Sequence, residues 1–116
     1  MTERMTRALD RITRVRGVRG AMLVSAADGL LIAEAAMEGV RTDAAAALSA
    51  ALLGRLARAT GASGAGQPTF VHVEAERGAL LAVPVGDDVL LVTLADPAVN
   101  VGLARLEMLR AVEEVS

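Results

Sequence analysis

From Thr42 to Thr60 the chain reads TDAAAALSAALLGRLARAT, a helical run with almost no polar side. Leu48, Leu52 and Leu56 form one stripe at four-residue spacing, with Ala45 and Ala59 beside it. The opposite side should be wet, yet it carries Ala47, Ala50, Ala51, Gly54 and Ala57. A helix that is apolar nearly all round is usually sandwiched between other elements, and a small-residue face lets a second backbone come close. Alanine is also simply the best helix former, so packing and propensity both remain open as reasons for this face. Thr42 reads as the cap of this helix and Gly61 as its left-handed stop.

The rest of the chain must supply what covers such a helix. With 116 residues and 53% apolar side chains, a single domain with one core is expected. Phe70 is its one aromatic residue, so the core volume comes from Ala, Leu, Val, Ile and Met. Small side chains bury little area each, at roughly 25 cal/mol per Å². A lone subunit should therefore be modestly stable and gain from association.

The remaining elements follow from periodicity and turn chemistry. Met5, Ala8, Leu9, Ile12 and Val15 fall at helical spacing behind Thr2 as cap, and Gly17 closes the segment. Asp28-Gly29 is a strong turn signal, because glycine tolerates positive φ and aspartate bonds nearby backbone. It splits 21–25 from 30–36 as a hairpin. After the flexible GASGAGQP stretch, 69–76 alternates, with Val71, Val73 and Ala75 on one face and Phe70, His72, Glu74 and Glu76 on the other. Segments 79–85 and 89–95 are nearly continuous apolar runs, which suits central strands covered on both faces. Pro84 belongs at a strand end. Asp96-Pro97 reads as the opening of a last helix to about Val115. That helix has two apolar stripes, Val101, Ala104, Met108 and Val115 on one side and Val99, Leu103 and Leu106 on another.

Much chemistry is excluded by residue type. The chain has no Cys and no Lys, so it offers no thiolate metal site, no cysteine nucleophile, no Schiff base and no phosphate-loop lysine. His72 is the one histidine and makes no zinc motif alone. No cofactor and no metal are expected, and no catalytic residue. A net charge of −2 without Trp or Tyr argues against nucleic acid as a partner. No apolar run reaches the ~18 residues of a membrane span, and no signal region follows the N-terminus, so a cytoplasmic protein is expected. Gly61, Gly64 and Gly66 follow a helix and precede a strand, the reverse of a dinucleotide fingerprint. His72 and Glu74 share a strand face and would need an orienting group and a pocket to act as an acid/base pair. A surface or interface histidine is the plainer reading. Arg4, Arg7, Arg11 and Arg14 line the outer face of the first helix, where Glu3 to Arg7 and Asp10 to Arg14 are favourable i,i+4 pairs.

The pattern resembles the Roadblock domain family, named for a dynein light chain, and especially its small bacterial members. The resemblance rests on Gly17-Val18-Arg19-Gly20-Ala21 leading into a strand, Ser25-Ala26-Ala27-Asp28-Gly29-Leu30 at the hairpin, and the Ala/Leu helix from Thr42. Leu90-Leu91-Val92-Thr93-Leu94 and the closing Asn100-Val101-Gly102-Leu103-Ala104-Arg105 fit as well. It implies an α+β, profilin-like sandwich: a five-stranded antiparallel sheet with helices on both faces, in the order α-β-β-α-β-β-β-α. It also implies a homodimer in which third strands join and middle helices lie side by side. The residues expected there are Ala47, Ala50, Ala51, Gly54, Ala57, Phe70, His72 and Glu74. Bacterial relatives are often companions of Ras-like small GTPases, received on the helix-paired face. They act as GTPase-activating proteins or as signalling scaffolds, and need no catalytic residue when they only reposition the GTPase's loops. Arg55 and Arg58 on the middle helix are the candidate GTPase contacts, with an arginine finger and plain solvation of the helix flank both open. A second reading, an adaptor docking on anionic membrane or acidic protein, follows from the arginine stripe on the first helix.

Overall fold

The computed structural model describes residues 2–116 and has eight elements. These are α1 (Glu3–Thr13), β1 (Val18–Ser25), β2 (Leu31–Ala36), α2 (Thr42–Ala62), β3 (Val71–Ala75), β4 (Gly78–Val85), β5 (Val89–Ala95) and α3 (Val101–Val115). The strands form one antiparallel sheet in the order β2-β1-β5-β4-β3. The expected fold class and element order are those found. Pro84 lies beyond Ala82, the last β4 residue that pairs with β3, so its missing N–H falls past that ladder.

Alternation along the strands sorts the apolar residues onto two faces. Leu9 and Ile12 of α1 and Ala104, Met108 and Ala111 of α3 pack with Leu23, Leu81, Val83 and Leu91 on one face. Ala46, Ala50 and Leu53 of α2 pack with Met22, Val24, Ala82, Leu90 and Val92 on the other. Arg11 ties the two helices of the first face together, donating to Glu114 at 3.1 Å and to Glu107 at 3.4 Å.

The Asp28-Gly29 turn forms as its residues dictate. Gly29 has φ +72°, and the Leu30 N–H donates to Asp28 Oδ1 at 3.1 Å. That backbone bond, with a further one from the Ser25 hydroxyl, holds the Asp28 carboxyl below its ordinary value of 3.8. A depressed carboxylate stabilises the hairpin above the ordinary range and loses that contribution as pH falls through its own lower value. In an NMR titration the Leu30 amide shift is expected to report a midpoint below 3.8. A midpoint at or above that value would contradict the bond.

Four helix ends differ from the sequence expectation. Thr42 is not the cap of α2: Arg41 holds that position without a side-chain bond, while the Thr42 hydroxyl, buried inside the first turn, donates to Glu34 of β2. Gly61 is not the stop either. The helix runs on to Ala62, and Gly64 takes φ +82°. The Gly64 N–H reaches the Gly61 carbonyl at 3.1 Å and the Ala65 N–H the Thr60 carbonyl at 2.8 Å, a Schellman closure. Similarly, α3 opens at Asn100, whose side chain accepts from the Leu103 N–H at 3.0 Å, not at Asp96. Asp96 is used earlier: its N–H bonds the Gly17 carbonyl at 2.8 Å and its own carbonyl turns the chain through Val99. At the other end of the chain α1 stops at Thr13, although Val15 is still buried.

Candidate functional site

The two faces of the sheet are covered unequally. Five strands at ~4.8 Å spacing span ~19 Å, and a helix is ~10 Å wide. Two helices, α1 and α3, roof one face. On the other, α2 alone lies over β1, β2 and β5. The consequence is clearest along β4, where Leu81 toward α1 and α3 is 0% exposed while its neighbour Leu80, on the other face, is half-buried. Leu94 and Val71 are half-buried beside it, and Val73 is 39% exposed. Leu80, Leu94, Val73 and Val40 line an open depression of about 470 Å³ there, with Arg19 and Arg77 at its rim. Edge strand β3 borders this bare half and pairs on one side only. An unpaired edge next to uncovered apolar surface is a template for another chain.

Helix α2 presents its flanks in a way the sequence does not reveal. The buried underside is Thr42, Ala46, Ser49, Ala50 and Leu53. Ala47 and Ala50 meet the hairpin turn at Gly29. Ala50, Gly54 and Ala57 then line a pocket of about 270 Å³ with Gln67, Pro68, Pro84, Gly86 and Asp87. This flank therefore faces the β1–β2 and β4–β5 turns. The leucine stripe is the opposite flank, turned toward the bare half of the sheet, with Leu52 and Leu56 half-buried and Leu48 72% exposed. The stripe of Leu48, Leu52 and Leu56 is thus the more open flank, and Ala50 belongs to the protomer's own core. The physical reason is the close approach of the Gly29 turn, which leaves room only for small side chains beside it at Ala47 and Ala50, while Leu53 further along the helix packs on the sheet. Leu48, Val73 and Leu80 are the surface residues that sequence reasoning missed; a buried stripe and a docking stripe have the same periodicity.

The remaining singled-out residues are scattered. Ala51, Arg55 and Arg58 are exposed on the outward side of α2, and no ion pair involves either arginine among the described residues. Phe70 is half-buried against the α1/α3 core with the Arg105 guanidinium 4.8 Å from its ring centre, so its ring serves the protomer. His72 and Glu74 are exposed on the same side of β3. Among the described residues no group of three or more His, Asp or Glu is placed to hold a metal ion, and no helix is long and apolar enough to cross a membrane. The arginine stripe of α1 is interrupted, since Arg11 is taken by α3 and Arg7 pairs with Glu3 at 3.7 Å.

This arrangement, an antiparallel five-stranded sheet with two helices on one face and one on the other, is of the profilin class. Profilin II of Acanthamoeba castellanii is similar in fold, with a TM-score of 0.56 and 17% identity over 96% of this chain and 92% of its own. Within that class the chain belongs to the Roadblock/LC7 family, whose domain matches residues 6–95. MglB of Myxococcus xanthus superposes with a TM-score of 0.88 at 24% identity, covering 97% of this chain and 92% of that one. The uncharacterised protein MJ1340 of Methanocaldococcus jannaschii is 34% identical over 109 residues, 94% of each chain.

Proposed function

We propose that this chain is a non-catalytic regulator or scaffold that pairs with a second copy and presents the joined α2 helices to a Ras-like small GTPase. The observation that carries the reading is the half-covered sheet: Leu48, Val73, Leu80 and Leu94 form apolar surface beside an unpaired strand edge. A second copy related by a two-fold axis beyond β3 would extend the sheet and lay its own α2 over this surface. The leucine flanks would then meet, and Ala51, Arg55 and Arg58 would face outward as the platform. Membership of the Roadblock/LC7 family supports the same reading, because its small bacterial members resemble this chain and often accompany such GTPases.

The test is capture by an immobilised Ras-like GTPase encoded near this gene, loaded with GDP or with a GTP analogue. Retention in at least one nucleotide state is expected, and indifference to both removes the reading. Joint replacement Arg55→Ala and Arg58→Ala is expected to weaken capture about tenfold, as arginines are enriched among energetically dominant interface residues. With the variant at saturation, GTP hydrolysis should stay within a few-fold of wild type. An arginine finger would instead lose about 10³-fold or more.

A further inference from the structure

The free edge strand carries its own complement. Side chains directly opposed across an antiparallel pair lie on the same face, so on a two-fold axis the pairing must centre on a residue and join positions of equal parity. Centred on Val73, all five residues of β3 find partners: Val71 meets Ala75, Val73 meets its own copy, and His72 meets Glu74 twice. Moving the centre to Glu74 sets two carboxylates against each other. Centring on His72 instead opposes the two imidazoles, sets Glu74 against Phe70 and leaves Ala75 opposite Thr69, outside the strand.

Resting on the dimer reading above, we propose that two β3 strands pair about Val73 with His72 of each copy opposite Glu74 of the other, and that protonation of His72 tightens the dimer. The groups around His72 leave this pairing dominant. On β4 its partner is apolar Leu81, and Glu74 lies against Ala79. Along β3 its same-face neighbours are Phe70 and Glu74, with Glu76 and Arg77 following in the turn. From α3 the charged group on this side is Arg105, held over the Phe70 ring. The same register brings Glu76 of the second copy opposite Phe70, within the field of that arginine. An imidazolium facing a carboxylate holds its proton more tightly, so the dimer takes up protons as it forms. Association is therefore stronger at pH 6 than at pH 8, with the Glu74 carboxylate ionised at both. Two opposite-charge cross-strand pairs correspond to about two- to thirty-fold in Kd.

Sedimentation equilibrium of the wild-type chain at pH 6 and pH 8 is expected to give that difference, and His72→Gln should flatten it. At pH 6, His72→Glu and Glu74→His each place like groups opposite one another. Mixed in equal amounts they restore two opposite-charge pairs, so native mass spectrometry should find mixed dimers above the half that random pairing gives. Oxidation of Val73→Cys should link two chains, because opposed Cα atoms in either kind of antiparallel pair lie within disulfide reach. Random mixing, no Val73→Cys link or a pH-independent Kd, with a dimeric wild type, overturns this register and leaves the dimer standing. A wild-type chain that stays monomeric at high concentration overturns the dimer reading itself.

Discussion

Leu48→Glu is expected to abolish self-association while leaving the protomer folded. Leu48 is 72% exposed and is not among the buried residues of α2, so the single chain loses little by the change. In the proposed dimer it enters the contact twice by symmetry. Burying a leucine side chain contributes about 1.5–3 kcal/mol, and a glutamate there would in addition be desolvated without a partner. The combined loss of about 3–6 kcal/mol corresponds to roughly 10²–10⁴ in Kd. Light scattering should show a dimer for wild type and one chain for the variant, with an unchanged far-ultraviolet spectrum. Ala47→Glu, on the flank facing the hairpin turn, should leave dimer mass unaffected. The opposite ranking would place the second copy on the alanine flank.

Gly29→Ala should destabilise the fold strongly. Gly29 has φ +72°, where a side chain costs about 1–2 kcal/mol. An added Cβ would also lie 2.9 Å from the Ala47 Cα, which is backbone and cannot rotate away. Hairpin and helix must separate, opening the core around Ala46 and Ala50. A total of about 2–4 kcal/mol is expected, a large part of the ~5–15 kcal/mol that holds a domain together. The midpoint of thermal unfolding should fall by roughly 10–20 °C. Gly39 supplies the control, since it has φ +88° but nothing within 4 Å of a Cβ; there Ala should cost only the conformational part. Equal effects at the two positions would mean that the approach of hairpin to α2 is unimportant.

What the sequence determined by itself was local and periodic. The two-residue period of 69–76 and the apolar runs at 79–85 and 89–95 specify strands. Asp28-Gly29 specifies the hairpin, and the element order follows. These signals lie within a few residues of one another and need no distant partner. Tertiary structure decided the ends of the helices, because the expected caps were engaged elsewhere: the Thr42 hydroxyl by Glu34, and Asp96 by the Gly17 carbonyl at its N–H and by Arg19 at its carboxylate. It also decided which side of α2 is buried. Arg55 and Arg58 mark the outward side of this helix but its two flanks are alike in polarity, so the choice between them fell to the shape beneath. The Gly29 turn comes too close for leucine at Ala50, so alanine and serine went under that end with Leu53 packed further along, and Leu48, Leu52 and Leu56 were left on the flank toward the open half of the sheet.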